Sequence, residues 1–225
     1  MPRRLTPLVT GEIYHIFNRS VAQQPIFKKS RECIRALEII DYYRFVNTPL
    51  RFSHYNRLSS QEKGDLLKNL YKTNDKFIDI YAFSLMPNHY HLLVKQLKDG
   101  GVSKFLRIMQ DSYAKYLNTK SKRSGSVFQQ MFKAVRIETD EQFLHVSRYI
   151  HLNPLTSYVI SQKDELERYS WNSYMDYLTS SPRPFINTDF LNKFFKSKLN
   201  FKKFNLNQLD FQRNLEKIKH FTHDY

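Results

Sequence analysis

Cysteine is almost absent, with Cys33 the only one in 225 residues. That excludes an intramolecular disulfide framework and a zinc site built on several thiolates. Cys33 falls in a helical pattern and reads as a small buried apolar residue. Long apolar runs are missing too, and none approaches the roughly 20 residues of a membrane span. The first residues, MPRRLTPLVTGEIY, carry a charge pair but not the apolar stretch of a signal peptide. No internal repeat or low-complexity tract is visible, and a cytoplasmic location is the default expectation. Acidic residues are in deficit, 21 against 36 Lys and Arg, for a net charge of +15. On a chain that is 41% hydrophobic, such a charge argues for a polyanionic partner rather than for disorder. Tryptophan is single, yet 18 Phe and 15 Tyr bring the aromatic share to 15%. Cations for phosphates and flat rings for bases are what single-stranded nucleic acid requires.

The length suits one domain of about 150 residues with a smaller appendage. The expected division is 1–155 and 156–225. Residues 11–19 alternate as a strand. Residues 30–46 place Cys33, Leu37 and Ile40 at helical spacing, with Ser30 as a cap. Residues 47–58 read as loop. Ser59 and Glu62 form a capping-box pattern opening a helix to about Tyr71. Strands over 76–86 and from His89 onward flank Pro87-Asn88 and make a hairpin. Gly100 and Gly101 end that unit. A helix over 102–119, a strand over 132–138 and a helix launched by the Thr139–Gln142 capping box follow, the last closed by Asn153-Pro154. Beyond 155, Tyr and Ser become frequent, SSPRP breaks the chain, and the tail from 192 is basic. A hairpin mixed with helices in this order gives an α+β domain, an antiparallel or mixed sheet with helices against one face.

His89 and His91 lie two apart on a strand, so both imidazoles share one face at a spacing suited to one cation. The bare tripeptide by itself fits two polar residues on a half-exposed strand better. The apolar continuation Leu92, Leu93 and Val94 makes the element a buried one, where histidines need partners. Two histidines are an incomplete site, so a third ligand must come from elsewhere. Tyr149 and Asn153 are four apart and share a helix face. A phenol is a latent oxygen nucleophile and an amide oxygen suits a hard cation. Read alone, the tyrosine is better explained as a core residue and the asparagine as a helix cap.

Taken together, IYHIFNRS, MPNHYHLLV, SYAKYLNTK, RSGSVFQQMFKAVRIE, RYIHLNP and YSWNSY resemble the REP-associated tyrosine transposases, within the wider single-tyrosine HUH transposase group. The resemblance spans roughly residues 10–175. It implies a ferredoxin-like, RRM-like antiparallel sheet with the HUH motif, here His89-Tyr90-His91, on a central strand, followed by a C-terminal helical extension. It also implies a nucleophilic tyrosine, Tyr149, and a third metal ligand, Asn153. Ser20 stands where relatives often carry glycine, which leaves the local turn open.

The activity implied is metal-dependent transesterification of single-stranded DNA near hairpins and repeats, through a 5′-phosphotyrosine. Magnesium or manganese is the implied cation, whereas two imidazoles alone would also admit zinc. The expected partner is hairpin-bearing single-stranded DNA, with no membrane, and the protein acts as a monomer or homodimer. Two other readings are a structured-DNA or RNA binding module that no longer cuts, and a phosphodiesterase that uses water. Tyr113 and Tyr116 are competing nucleophiles, but their spacing to Asn118 turns those groups apart. Lys104, Arg107, Lys115, Lys120, Lys122, Arg123, Lys133 and Arg136, opposed only by Asp111, suggest a phosphate track. Arg19 joins them, and Trp171 is either a stacking platform or core.

Overall fold

The computed structural model describes residues 7–210 and 212. Strand β1 (Ile13–Arg19) leads to α1 (Ser30–Tyr43), α2 (Phe52–Tyr55) and α3 (Ser60–Thr73). The hairpin β2 (Ile78–Met86) and β3 (His89–Gln96) follows, then α4 (Gly101–Lys120), β4 (Lys133–Ile137) and α5 (Asp140–Thr156). Short helices α6 (Glu165–Arg168), α7 (Asp189–Asn192) and α8 (Lys198–Leu206) complete the described chain. The strands form one antiparallel sheet in the order β2-β3-β1-β4. That is the ferredoxin-like arrangement, with the histidine strand β3 in the interior of the sheet.

Alternation along the strands sends two different side-chain sets to the two faces. Tyr14, Ile16, Tyr90, Leu92 and Val94 face α1 and α4; the Tyr90 hydroxyl accepts from Gln110 Nε2 of α4 at 2.6 Å. These residues join Cys33, Ala36, Ile40, Phe105, Leu106 and Met109 in the buried core. His15, Phe17, His89 and His91 take the other face, crossed by α5, which packs mainly on β2. Gly101 opens α4 where a Cβ would stand 2.6 Å from the Phe77 carbonyl oxygen, so only glycine fits this close approach.

Several local expectations are corrected. Helix α1 begins at Ser30 itself, after Lys29, and the Glu32 carboxylate accepts the backbone N–H groups of Lys28 and Lys29. The stretch 47–58 contains the helical turn α2. The Ser59–Glu62 capping box forms as expected. At α5, Thr139 Oγ1 accepts from Gln142 N, but Gln142 Oε1 accepts from the N–H of Glu138 rather than of Thr139. Pro154 does not close α5, which runs on to Thr156. Proline forgoes one bond near the helix end, and the N–H of Ser157 still reaches the Asn153 carbonyl at 2.9 Å. Asn153 therefore stays in helical register with Tyr149. Ser20 forms its turn without glycine: its backbone is extended, its Oγ donates to the Gln24 carbonyl at 2.6 Å, and Ala22 and Gln23 take the left-handed conformation instead.

The chain after α5 runs beside β2. Asn172 bridges Ser84, Ile186 bridges Ile80, and Ser173 Oγ accepts the N–H of Phe83 at 2.9 Å. Arg183, in the SSPRP stretch, lies over the Phe83 ring and pairs with buried Asp176 at 3.3 Å. Helix α8 packs on α5, its Phe201 ring against His151, Tyr174 and Tyr177. The last part of the basic tail, 211 and 213–225, lies outside the described residues.

Candidate active site

The hairpin turn and the β1–β3 register place His89 and His91 on one face of the sheet, their ring centroids 5.0 Å apart and nearly perpendicular. Helix α5 brings two further groups to the same place. The Tyr149 ring lies 5.5 Å from that of His91, edge to face. Asn153 Nδ2 lies 3.3 Å from His91 Nε2. The four candidate residues thus converge, two from a strand and two from one helix face.

Neighbours hold each imidazole. His91 Nδ1 is 3.0 Å from Nε2 of His15, a residue of β1 that sequence reasoning did not single out. With Asn153 donating to His91 Nε2, the network assigns His91 its proton on Nδ1, donated to His15. His89 Nδ1 is 2.7 Å from Asn88 Oδ1, which likewise places the proton on Nδ1. Burial, with the charge of Arg19 beside it, pulls the His89 pKa down to about 4, so at neutral pH this ring is uncharged. Serine 157 Oγ donates to Asn153 Oδ1 at 3.2 Å and orients the amide.

This donor set fits a divalent cation. His89 keeps a lone pair on Nε2, and rotating the Asn153 amide would turn its oxygen toward Nε2 of His91. Hydrogen bonds on the far ring nitrogens are the usual way metal-binding imidazoles are fixed. Among the described residues no group of three or more His, Cys, Asp or Glu side chains is arranged to hold a metal. Asn153 brings an amide to within 3.3 Å of His91 Nε2.

The remaining candidates divide between the faces. Arg19 pairs with His89 across the β1–β3 ladder, and Lys133 pairs with Phe17 across β1–β4, so both belong to the histidine face. Lys133 Nζ is 5.9 Å from the Phe17 ring, which itself lies 5.6 Å from His91. Arg136 pairs with Tyr14, points to the other face and is tied to Glu12 at 3.0 Å. Lys104, Arg107, Lys115 and Lys120 belong to α4, behind the sheet; Lys122 and Arg123 follow it. Arg123 braces the loop by donating to Gln24 Oε1 and the Ser126 carbonyl. Tyr113 and Tyr116 are also on α4, away from the histidines. Tyr113 is buried, donates to the Ile26 carbonyl, and its phenol is pushed well above its ordinary pKa by desolvation. Trp171 packs against the core, and Asn118 Nδ2 binds the Gly125 carbonyl.

The missed residue, His15, had a signal in the strand alternation Ile13-His15-Phe17. Recognising it required the β1–β3 register, which sets it diagonal to His91. Asn88, in sequence a turn residue, also holds the His89 ring.

Among the described residues no helix is long and apolar enough to cross a membrane. No curated protein sequence matches the chain. Among solved structures, the REP-associated tyrosine transposase bound to a REP hairpin superposes with a TM-score of 0.56 at 11% identity, over 82% of this chain and 90% of that one. That likeness is one of fold. A candidate transposase from Deinococcus radiodurans matches at a TM-score of 0.36 and 10% identity, over 66% of this chain and 95% of that one. The family model described as "Transposase IS200 like" matches residues 42–153, a span that holds both histidines and Tyr149 and ends on Asn153. The chain belongs to the IS200-like transposase family.

Proposed function

We propose that the protein is a metal-dependent transesterase of single-stranded DNA that cleaves and rejoins strands near hairpins. One observation carries this reading: Tyr149 and Asn153 of α5 converge on His91 of the HUH strand, with His89 alongside. A magnesium or manganese ion held by His89, His91 and Asn153 would supply Lewis-acid polarisation of the scissile phosphate. Tyr149 Oη attacks phosphorus; the Oη–P bond forms and the bond to the 3′ oxygen breaks. The phenolic proton leaves Tyr149 and the departing 3′ oxygen ends as a hydroxyl. The 5′-phosphotyrosine conserves the phosphodiester, so a second 3′-hydroxyl can reverse the step and join a new strand without ATP. A free phenol ionises only near about pH 10, so positive charge at the site has to favour its anion. His15 and Asn88 hold the two imidazoles in one tautomer, and the helical register of α5 fixes Tyr149 relative to Asn153. Arg19 and Lys133, on the same face, suit the flanking phosphates.

Incubating the protein with labelled hairpin-bearing single-stranded DNA and manganese tests the reading. A denaturant-resistant protein–DNA adduct that disappears in Tyr149→Phe is expected. Cleavage without an adduct would point to water as the nucleophile, and binding without cleavage to a recognition module.

A further inference from the structure

Behind the sheet, α1, α2 and the second half of α4 line an open cavity of about 830 Å³. Its lining is strongly cationic: Arg35, Arg51, Arg57, Lys115 and Lys120, with Asp111 the acidic exception among the described lining residues. Three of these cations are already engaged, Arg35 with Glu38 at 3.5 Å, Lys115 with Asp111 at 2.8 Å and Lys120 with Glu32 at 2.7 Å. Arg51 and Arg57 differ: both are exposed, flank α2, and form no ion pair among the described residues. Surface cations that stand together without acidic partners are set for a polyanion rather than for internal structure.

The wall between them is aromatic. The Arg35 guanidinium lies 5.2 Å from the ring centroids of both Phe52 and Tyr116, a stack of planar groups at the cavity surface. Arg35 Nε is buried and has no hydrogen-bond partner among the described residues. Buried donors left unpaired carry a cost that an incoming acceptor would relieve. Planar cations and rings beside free arginines combine base stacking with phosphate neutralisation.

We propose that this cavity is a second DNA site, which takes an unpaired stretch of the strand. Its phosphates meet Arg51, Arg57 and Lys115, and a base enters against the Arg35–Tyr116 stack. An open cavity of this size has room for one unstacked nucleotide, and only an unpaired strand offers a free base face to the Arg35–Tyr116 contact, so unpaired DNA is the occupant. The inference rests on the reading of the chain as a single-strand DNA enzyme, and it adds a contact region on the face of the sheet opposite Tyr149. An acidic peptide would use the cations but not the stack.

The test is fluorescence anisotropy of labelled oligothymidylate, about ten nucleotides long, over a salt series. It compares the wild type with R51A/R57A, with the single variant K115A, and with K68A/K72A, two exposed lysines of α3 outside the cavity. Thermal melts confirm folding of each. R51A/R57A should lose about tenfold in affinity, and its log–log salt slope should shrink by about 0.7 for each phosphate released. K115A should follow with a smaller loss, and R51K/R57K should recover most of the slope. Equal losses in K68A/K72A and R51A/R57A would mean a uniformly basic surface and overturn the proposal. So would unchanged binding in R51A/R57A or, if that variant does not fold, in K115A. A wild type that binds no DNA removes both this site and the transesterase reading. A wild type that binds, responds to R51A/R57A and yet forms no tyrosine adduct keeps the site and removes only the transesterase reading.

Discussion

The two faces of the sheet are built from the same four strands, yet they do different work. On the α1/α4 face, Tyr14, Ile16, Leu92 and Val94 are fully buried and apolar, and they close against Phe105, Leu106 and Met109. On the α5 face the intervening positions are His15, Phe17, His89, His91 and Leu93; Leu93 is fully buried and apolar too, but the three histidines can hydrogen-bond. Buried polar groups need partners. The α5 face supplies them in a chain from Asn153 through His91 to His15, with a separate Asn88–His89 pair. Both faces bury apolar side chains, but only the α5 face also holds a set of histidines in fixed orientation. Changes on the two faces should thus separate stability from chemistry.

The sharpest break in that comparison is Tyr149→Phe. It removes one oxygen from a half-buried ring and leaves the packing on His15 and His91 intact. Adduct formation and cleavage should fall to background, while DNA affinity and melting temperature stay near wild type. Gel detection of the covalent complex checks this. A surviving adduct would move the nucleophile to another tyrosine, although Tyr113 and Tyr116 lie behind the sheet.

Next in size are the imidazoles. His89→Ala and His91→Ala should each abolish manganese-dependent cleavage, and calorimetric titration with manganese should show the lost binding. Asn153→Ala should cost less if water replaces the amide. His15→Ala reaches the metal only through His91, so the expected loss is about 10–100-fold in manganese affinity. His15→Gln, which can still accept from His91 Nδ1, should recover part of it. Unchanged manganese affinity in the His89 and His91 variants would mean that this face holds no metal.

Much of this was legible in the sequence, and the exceptions have physical causes. The hairpin around Pro87-Asn88 and the Ser59 cap are local and emerged where expected. Pairing His89 with His91 needed only the two-residue period of a strand, and pairing Tyr149 with Asn153 only the helical period. His15 is different, because its contact with His91 joins residues 76 apart in sequence and depends on register. That α5 lies across the face opposite α4 is likewise a tertiary fact, and it decides which cations accompany the histidines. A run of positive charge in sequence therefore became two groups in space. Pro154 misled because its restriction on the preceding residue is a preference, which a helix one turn from its end can absorb.

The apolar face gives the converse test. Leu92 is fully buried next to His91 in sequence but on the opposite side of β3. Leu92→Ala should destabilise the fold by about 2–5 kcal/mol, measured by denaturant unfolding. Below the melting transition, manganese affinity should remain near that of the wild type. A large loss of metal binding in a folded Leu92→Ala protein would mean that the faces are coupled through the strand and do not act separately.

The smallest expected effect separates the faces within a single strand. Lys133 and Arg136 are three apart on β4, so their side chains leave opposite faces of the sheet. Lys133 stands beside Phe17 on the histidine face, whereas Arg136 is held by Glu12 on the other. If the scissile strand runs over the histidine face, Lys133 neutralises one of its phosphates and Arg136 neutralises none. Lys133→Ala should then weaken binding of a hairpin substrate a few-fold and reduce the log–log salt slope by about 0.7, one phosphate contact on a single strand. Arg136→Ala should leave the slope unchanged, because its side chain leaves the face turned away from that strand. Both variants keep the ladder, since the changes are at side chains of an edge strand. Equal slopes for the two variants would place the DNA around the β4 edge rather than over the histidine face, and the in-line approach of Tyr149 to a phosphate there would have to be redrawn.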